Sequence, residues 1–136
     1  MNIRHRFHRL TIAAIAGAGL ATLSPVMAQT VITNPSVSLT LADVNAVYTG
    51  EKQFAEGGKL VPVDNSAAQK AFLANVLRID GGKYNSIWAK KSFREGLTAP
   101  LTKATDNEVI EFVKKTPGAV GYVSDVGKAT GISVVK

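Results

Sequence analysis

The chain has no cysteine. That excludes disulfide staples, thiolate nucleophiles and cysteine metal sites, and it leaves nothing for a lipid at a processed N-terminal cysteine. The two histidines, His5 and His8, both lie near the start of the chain. Beyond them there is no imidazole, which removes Ser-His-Asp and Cys-His catalysis and the usual zinc ligand sets. Carboxylates or a Ser-Lys pair are what remain for an enzyme, and no motif pairs the carboxylates for acid–base work. No cofactor and no metal are therefore expected. Long apolar runs are missing too: the stretch from Leu10 to Leu23 falls short of the roughly 20 residues a bilayer span needs.

What the N-terminus does have is a basic leader, Arg4, Arg6 and Arg9, followed by that apolar stretch, a break at Pro25, and small residues in Val26-Met27-Ala28. Basic leader, short apolar core and small-residue cut together read as a secretory signal peptide over residues 1–28. The mature protein is then one domain, residues 29–136, with no membrane span left after cleavage. Half of the net positive charge belongs to the leader. The whole chain has 16 Lys+Arg against 10 Asp+Glu, a formal charge of +6; without the three leader arginines, 13 against 10 leave +3. The remaining cations are spread out, with no clustering and no interleaved aromatics, so nucleic acid is not an expected partner. A domain of about 100 residues can bury a workable core without staples.

Along the mature chain, Thr30–Thr33 reads as a strand closed by Asn34-Pro35. Thr40 caps a helix with Asp43 three residues on, and Leu41, Val44, Val47 and Tyr48 share one face. Lys59–Val63 reads as a strand. Pro62 has no N–H to give a ladder, which puts that strand at an edge or ends it there. Ser66 and Gln69 form a capping box for a second helix, with Ala68, Phe72, Leu73, Val76 and Leu77 at helical spacing and Asp80-Gly81-Gly82 as its stop. A short third helix carries Tyr84, Ile87 and Trp88 and ends at Gly96. Thr105 and Glu108 open a fourth, whose Lys114 and Lys115 suit the negative end of the helix dipole. Ala119–Val123 is a buried strand, and residues 132–135 supply a last one. Strands alternating with helices imply an α/β domain, a small mixed sheet flanked by four helices.

The junction from Val61 to Phe72 is the most informative for chemistry. A strand leads through Asp64-Asn65 into a helix at Ser66. Unpaired amides and the dipole at a helix start favour an anion; Ser66 adds a hydroxyl, and Lys70 a positive charge one turn later. The same Ser66 and Gln69 also read as an ordinary cap, and both readings stand. Thr105-Asp106-Asn107-Glu108 is acidic and reads as structure. Tyr84, Trp88 and Phe93 can stack on a ligand, but the spacing of Tyr84 and Trp88 also suits a core.

Leu39–Gly50, Lys59–Val63, Ile87-Trp88 with Phe93 and Gly96, and above all Pro117-Gly118-Ala119-Val120-Gly121-Tyr122-Val123 occur in an order similar to that of the phosphate-binding periplasmic proteins of ABC transporters. The resemblance covers about Val31 to Val123. Those proteins have two α/β lobes that close on phosphate, and this chain resembles the second lobe alone. The resemblance implies a single lobe of the type 2 periplasmic-binding-protein-like fold, a periplasmic location, and binding of phosphate or a similar oxyanion rather than catalysis. An ABC permease, or a homodimer that covers the face of the missing lobe, is the partner it implies. The family's Arg-x-Asp-Gly-Ser-Gly-Thr ligand loop aligns with Pro62–Ala68. Asp64 and Ser66 match, while Pro62 replaces the Arg, Ala67 the second Gly and Ala68 the Thr. The aligned loop, together with Lys70 from the helix start, gives the expected ligand set: Asp64, Asn65, Ser66, Ala67, Ala68 and Lys70. The alternative is a non-transport periplasmic protein-interaction module that keeps the fold and has lost the ligand site.

Overall fold

The computed structural model describes residues 29–136, so the leader assigned to residues 1–28 lies outside the described residues. The elements run β1 (Thr30–Thr33), α1 (Leu41–Tyr48), β2 (Phe54–Ala55), β3 (Gly58–Lys59), β4 (Val61–Asn65), α2 (Gln69–Phe72), a π-turn over Leu73–Leu77, α3 (Gly81–Glu95), β5 (Leu101–Lys103), α4 (Asp106–Lys115), β6 (Ala119–Val123) and β7 (Ser133–Val134). Five strands form one sheet in the order β5-β4-β6-β1-β7, and β2 and β3 make a separate small hairpin. β4 is parallel to both β5 and β6, whereas β1 is antiparallel to β6 and β7. This is the mixed α/β sheet with four helices that the alternating pattern implies.

Strand alternation divides the core in two. Val120 and Tyr122 of β6 and Val31 of β1 face α1, α2 and α3, where they meet Val44, Val47, Tyr48, Phe72, Leu77, Tyr84 and Trp88. Their neighbours Ala119, Val123 and Ile32, with Val63 of β4, face α4 and pack on Val109, Ile110 and Val113. Each large apolar side chain buried in this way contributes about 1.5–3 kcal/mol. On the first face Phe72 stacks on Tyr122 with ring centroids 3.7 Å apart, and Tyr48 meets both rings edge-on. The Tyr48 hydroxyl lies 2.9 Å from the Val63 carbonyl and 3.2 Å from that of Val120, which ties α1 to β4 and β6. On the second face α4 approaches β6 so closely that only a glycine fits at Gly121: a Cβ there would stand 2.6 Å from Val109 Cγ1.

Three expectations need correction. The strand containing Pro62 is not at the sheet's edge; β4 lies between β5 and β6. Pro62 is tolerated because β5 pairs only from Val63 onward, so the ladder on that side starts past the proline. The Ser66–Gln69 capping box does not form. Helix α2 begins at Gln69 with Ala68 as its cap residue, because Asn65 organises the turn before it instead. Finally, Asp80-Gly81-Gly82 does not end the second helix but starts the third. Arg78 takes the left-handed conformation (φ 58°) that ends the π-turn, and the Asp80 side chain accepts the Lys83 N–H at 2.7 Å. Helix α3 is therefore 15 residues long rather than short.

Candidate functional site

Parallel strands leave their C-terminal ends open to ligands, and here those ends are Asn65 of β4, Lys103 of β5 and Val123 of β6. Asn65 is fully buried and holds the corner together. Its Nδ2 donates to Asp106 Oδ1 at 2.7 Å and to the Tyr122 carbonyl at 3.0 Å, while its Oδ1 accepts the Ala67 N–H at 3.1 Å. The Ala68 N–H donates to the Asn65 carbonyl at 3.0 Å. Asp106 in turn accepts the backbone N–H groups of Ser124 and Asp125 at 3.1–3.3 Å. Its carboxylate thus occupies the crevice between the ends of β4 and β6 as an internal anion.

Asp64 points to the other face. It is 2% exposed and accepts two tyrosine hydroxyls, Tyr84 on Oδ2 at 2.7 Å and Tyr122 on Oδ1 at 2.8 Å. Burial pushes its carboxyl above the ordinary value of 3.8, and the two hydrogen bonds pull against that rise. The same burial, with the neighbouring carboxylate, raises both tyrosines well above their usual range. Tyr84 and Trp88 belong to the core, where the Trp88 indole donates to the Tyr48 carbonyl at 3.0 Å.

The six residues singled out in the sequence therefore do not converge on one point. Asp64 borders a cavity of about 470 Å³ with Tyr84, Trp88 and Thr102. Ala67 borders one of about 620 Å³ on the Asp106 and Ser124 side. Ala68 is buried. Ser66 and Lys70, both exposed, line an open groove of about 950 Å³. Ser66 is fixed by its N–H, which donates to the Lys103 carbonyl at 2.8 Å, and by a 3.4 Å contact from its hydroxyl to the Ala104 carbonyl. The far end of that groove carries Arg78, Asp80 and Lys83, which sequence reasoning did not select. The glycines of Asp80-Gly81-Gly82 are the local stop signal in the sequence, whereas the chain ends the helix earlier, at Arg78. Among the described residues, no group of three or more acidic, histidine or cysteine side chains is placed to hold a metal ion.

No protein-family model matches the chain, and no curated protein matches it in sequence. Its fold is similar to that of an ABC-type phosphate transport receptor from Vibrio cholerae, with 15% identity and a TM-score of 0.56, over 79% of this chain and 45% of that one. Two further matches are a putative phosphate ABC transporter substrate-binding protein from Clostridium perfringens with phosphate bound (21% identity, TM-score 0.48, 81% and 46% of the two chains) and PstS from Borrelia burgdorferi (20%, 0.47, 71% and 40%). The chain spans less than half the length of each of these proteins. The likeness to the Vibrio receptor shows a shared fold.

Proposed function

We propose that the chain is an exported oxyanion receptor of the periplasm, with residues 29–136 as its working domain and phosphate as its ligand. It acts by binding, not by catalysis. One observation carries this reading: Ser66 and Lys70 line the same open groove beside the C-terminal end of β4, where α/β sheets receive ligands. The fold shared with a phosphate transport receptor supports it. In this reading the Ser66 hydroxyl and the Lys70 ammonium contact the anion. Asp64, Asn65, Ala67 and Ala68 form the turn that presents them, since their polar groups already bond within the protein. A permease of the ABC type is the partner that fits. Among the described residues no helix is long and apolar enough to cross a membrane.

Isothermal titration of the purified protein with phosphate, and sulfate alongside, tests the proposal. Micromolar or tighter phosphate binding that disappears in the Ser66→Ala, Lys70→Ala double variant is the expected result. Unchanged affinity in that variant removes the site, and no binding of either anion removes the function. The second outcome would favour the alternative of a protein-interaction module.

A further inference from the structure

The groove beside Ser66 holds more charge than one phosphate uses. Lys70 on α2, Arg78 after the π-turn and Lys83 on α3 all line it, against the single carboxylate of Asp80. Among the described residues none of the three cations is in an ion pair. The Asp80 carboxylate, moreover, already accepts the Lys83 backbone N–H.

The cations are also spread out. Lys70 and Arg78 stand eight positions apart along nearly continuous helix, about 12 Å at 1.5 Å per residue. The groove is open, with a volume of about 950 Å³. A single tetrahedral anion fills a small part of that space and sits at one end of the row.

Arg78 adds a third point. It is the one non-glycine with positive φ among the described residues (φ 58°). That conformation costs an L-residue roughly 1–2 kcal/mol, and Gly or Asn fills such a position more cheaply. A π-turn leads directly into it, an irregularity that often accompanies functional positions. The result is a guanidinium, with its fork of donors suited to phosphoryl oxygens, placed in the groove by a strained backbone.

We propose that the groove takes an extended polyphosphoryl anion, a diphosphate or longer, held at one end by Ser66 and Lys70 and at the other by Arg78 and Lys83. This rests on the oxyanion reading above and names the ligand class of that same site. The shared chemistry is a chain of phosphoryl groups, whether free or carried on a nucleoside.

Titration calorimetry with inorganic phosphate, diphosphate and triphosphate tests it, with ADP to separate a free from a carried group. Diphosphate should bind at least about tenfold tighter than phosphate. Arg78→Gly, which relaxes the backbone while removing the guanidinium, and Lys83→Gln should each weaken diphosphate about tenfold, the loss of one charge-assisted contact, and leave phosphate little changed. Lys90→Gln removes an equal charge from an exposed position of α3 outside the groove and should do neither. Thermal unfolding confirms that each variant is folded, and if Arg78→Gly is not, Lys83→Gln carries the test. Phosphate bound as tightly as diphosphate, or an equal loss in Lys90→Gln, overturns the extended ligand and leaves the oxyanion reading intact. No binding of any of these anions overturns both. Diphosphate binding without phosphate binding supports the extended ligand and corrects the choice of phosphate.

Discussion

The Tyr122 hydroxyl donates to Asp64 Oδ1 at 2.8 Å from the neighbouring strand, and Tyr84 completes the pair from α3 on Oδ2 at 2.7 Å. A buried carboxylate is thus held by two neutral donors and no cation. Burial outweighs the hydrogen bonds, so its folded-state pKa lies above the ordinary 3.8.

The sign of the pH dependence follows. A group with a raised folded pKa binds its proton more tightly when folded. Its stabilising contribution is complete below the unfolded value and is lost as pH rises through the folded value. Asp64→Asn should therefore flatten the part of the stability profile that falls with rising pH in the acidic range. Tyr84→Phe removes one of the bonds that lower the pKa and should move that fall to higher pH. Urea unfolding at a series of pH values measures both. A profile for Asp64→Asn parallel to the wild type would contradict the assignment. Asp64→Ala leaves two buried hydroxyls without an acceptor and should cost about 2–5 kcal/mol.

Gly121 sets how closely α4 can lie on the sheet. A Cβ at this position would meet Val109 Cγ1 at 2.6 Å, Val113 Cγ2 at 3.1 Å and Val63 Cγ1 at 3.2 Å. All three partners are buried and cannot move into solvent. Gly121→Ala should destabilise the protein by about 1–3 kcal/mol, seen as a lower urea midpoint with an unchanged slope. Because the clash is with Val109 above all, Val109→Ala in the Gly121→Ala background should cost less than it does alone. Strict additivity would show that the two do not share that space.

The four helices and the strands around β1, β4 and β6 were legible in the sequence because periodicity and punctuation agree there; the short β2–β3 hairpin and the edge strand β5, two or three residues each, were not. Val109, Ile110 and Val113 repeat at helical spacing behind a Thr105 cap, and Ala119–Val123 is apolar throughout because both its faces are covered. The α2 region was less legible because local signals compete. Ser66 and Gln69 spell a capping box, but the buried Asn65 takes the Ala67 amide and the cap moves to Ala68. Asp80-Gly81-Gly82 contains the residues that end helices, yet Asp80 caps the next one. Of the candidate site, the pairing of Ser66 with Lys70 follows from sequence spacing. Two things do not: the burial of Asp64 between tyrosines 20 and 58 residues away, and the arrival of Arg78 and Lys83 in the Ser66 groove. Both depend on how α3 folds back on the sheet.

The leader can be tested without reference to the fold. Expressed in a Gram-negative host, the protein should be recovered from the periplasmic fraction with Gln29 as its first residue, read by N-terminal sequencing. Replacing the small residue at the cut, Ala28→Tyr, should leave a longer, membrane-associated precursor. Periplasmic protein that still begins at Met1 would contradict the cleavage site.

Arg78 separates stability from binding. Its φ of 58° costs an L-residue roughly 1–2 kcal/mol, a cost that glycine avoids. Glycine gives back roughly 0.5–1 kcal/mol of this through its greater freedom in the unfolded chain. Arg78→Gly should therefore stabilise the protein by about 0.5–1 kcal/mol and raise Tm by roughly 2–8 °C for a domain of this size. Arg78→Ala keeps the strained backbone and should show no such gain, so comparing the two isolates the backbone term from loss of the side chain. A lower Tm in Arg78→Gly than in the wild type would mean that Arg78 contributes more through its contacts than its conformation costs. The guanidinium would then be a structural element of the α2–α3 corner. A higher Tm, together with weaker anion binding, would show the trade between stability and function expected of a strained residue at a working site.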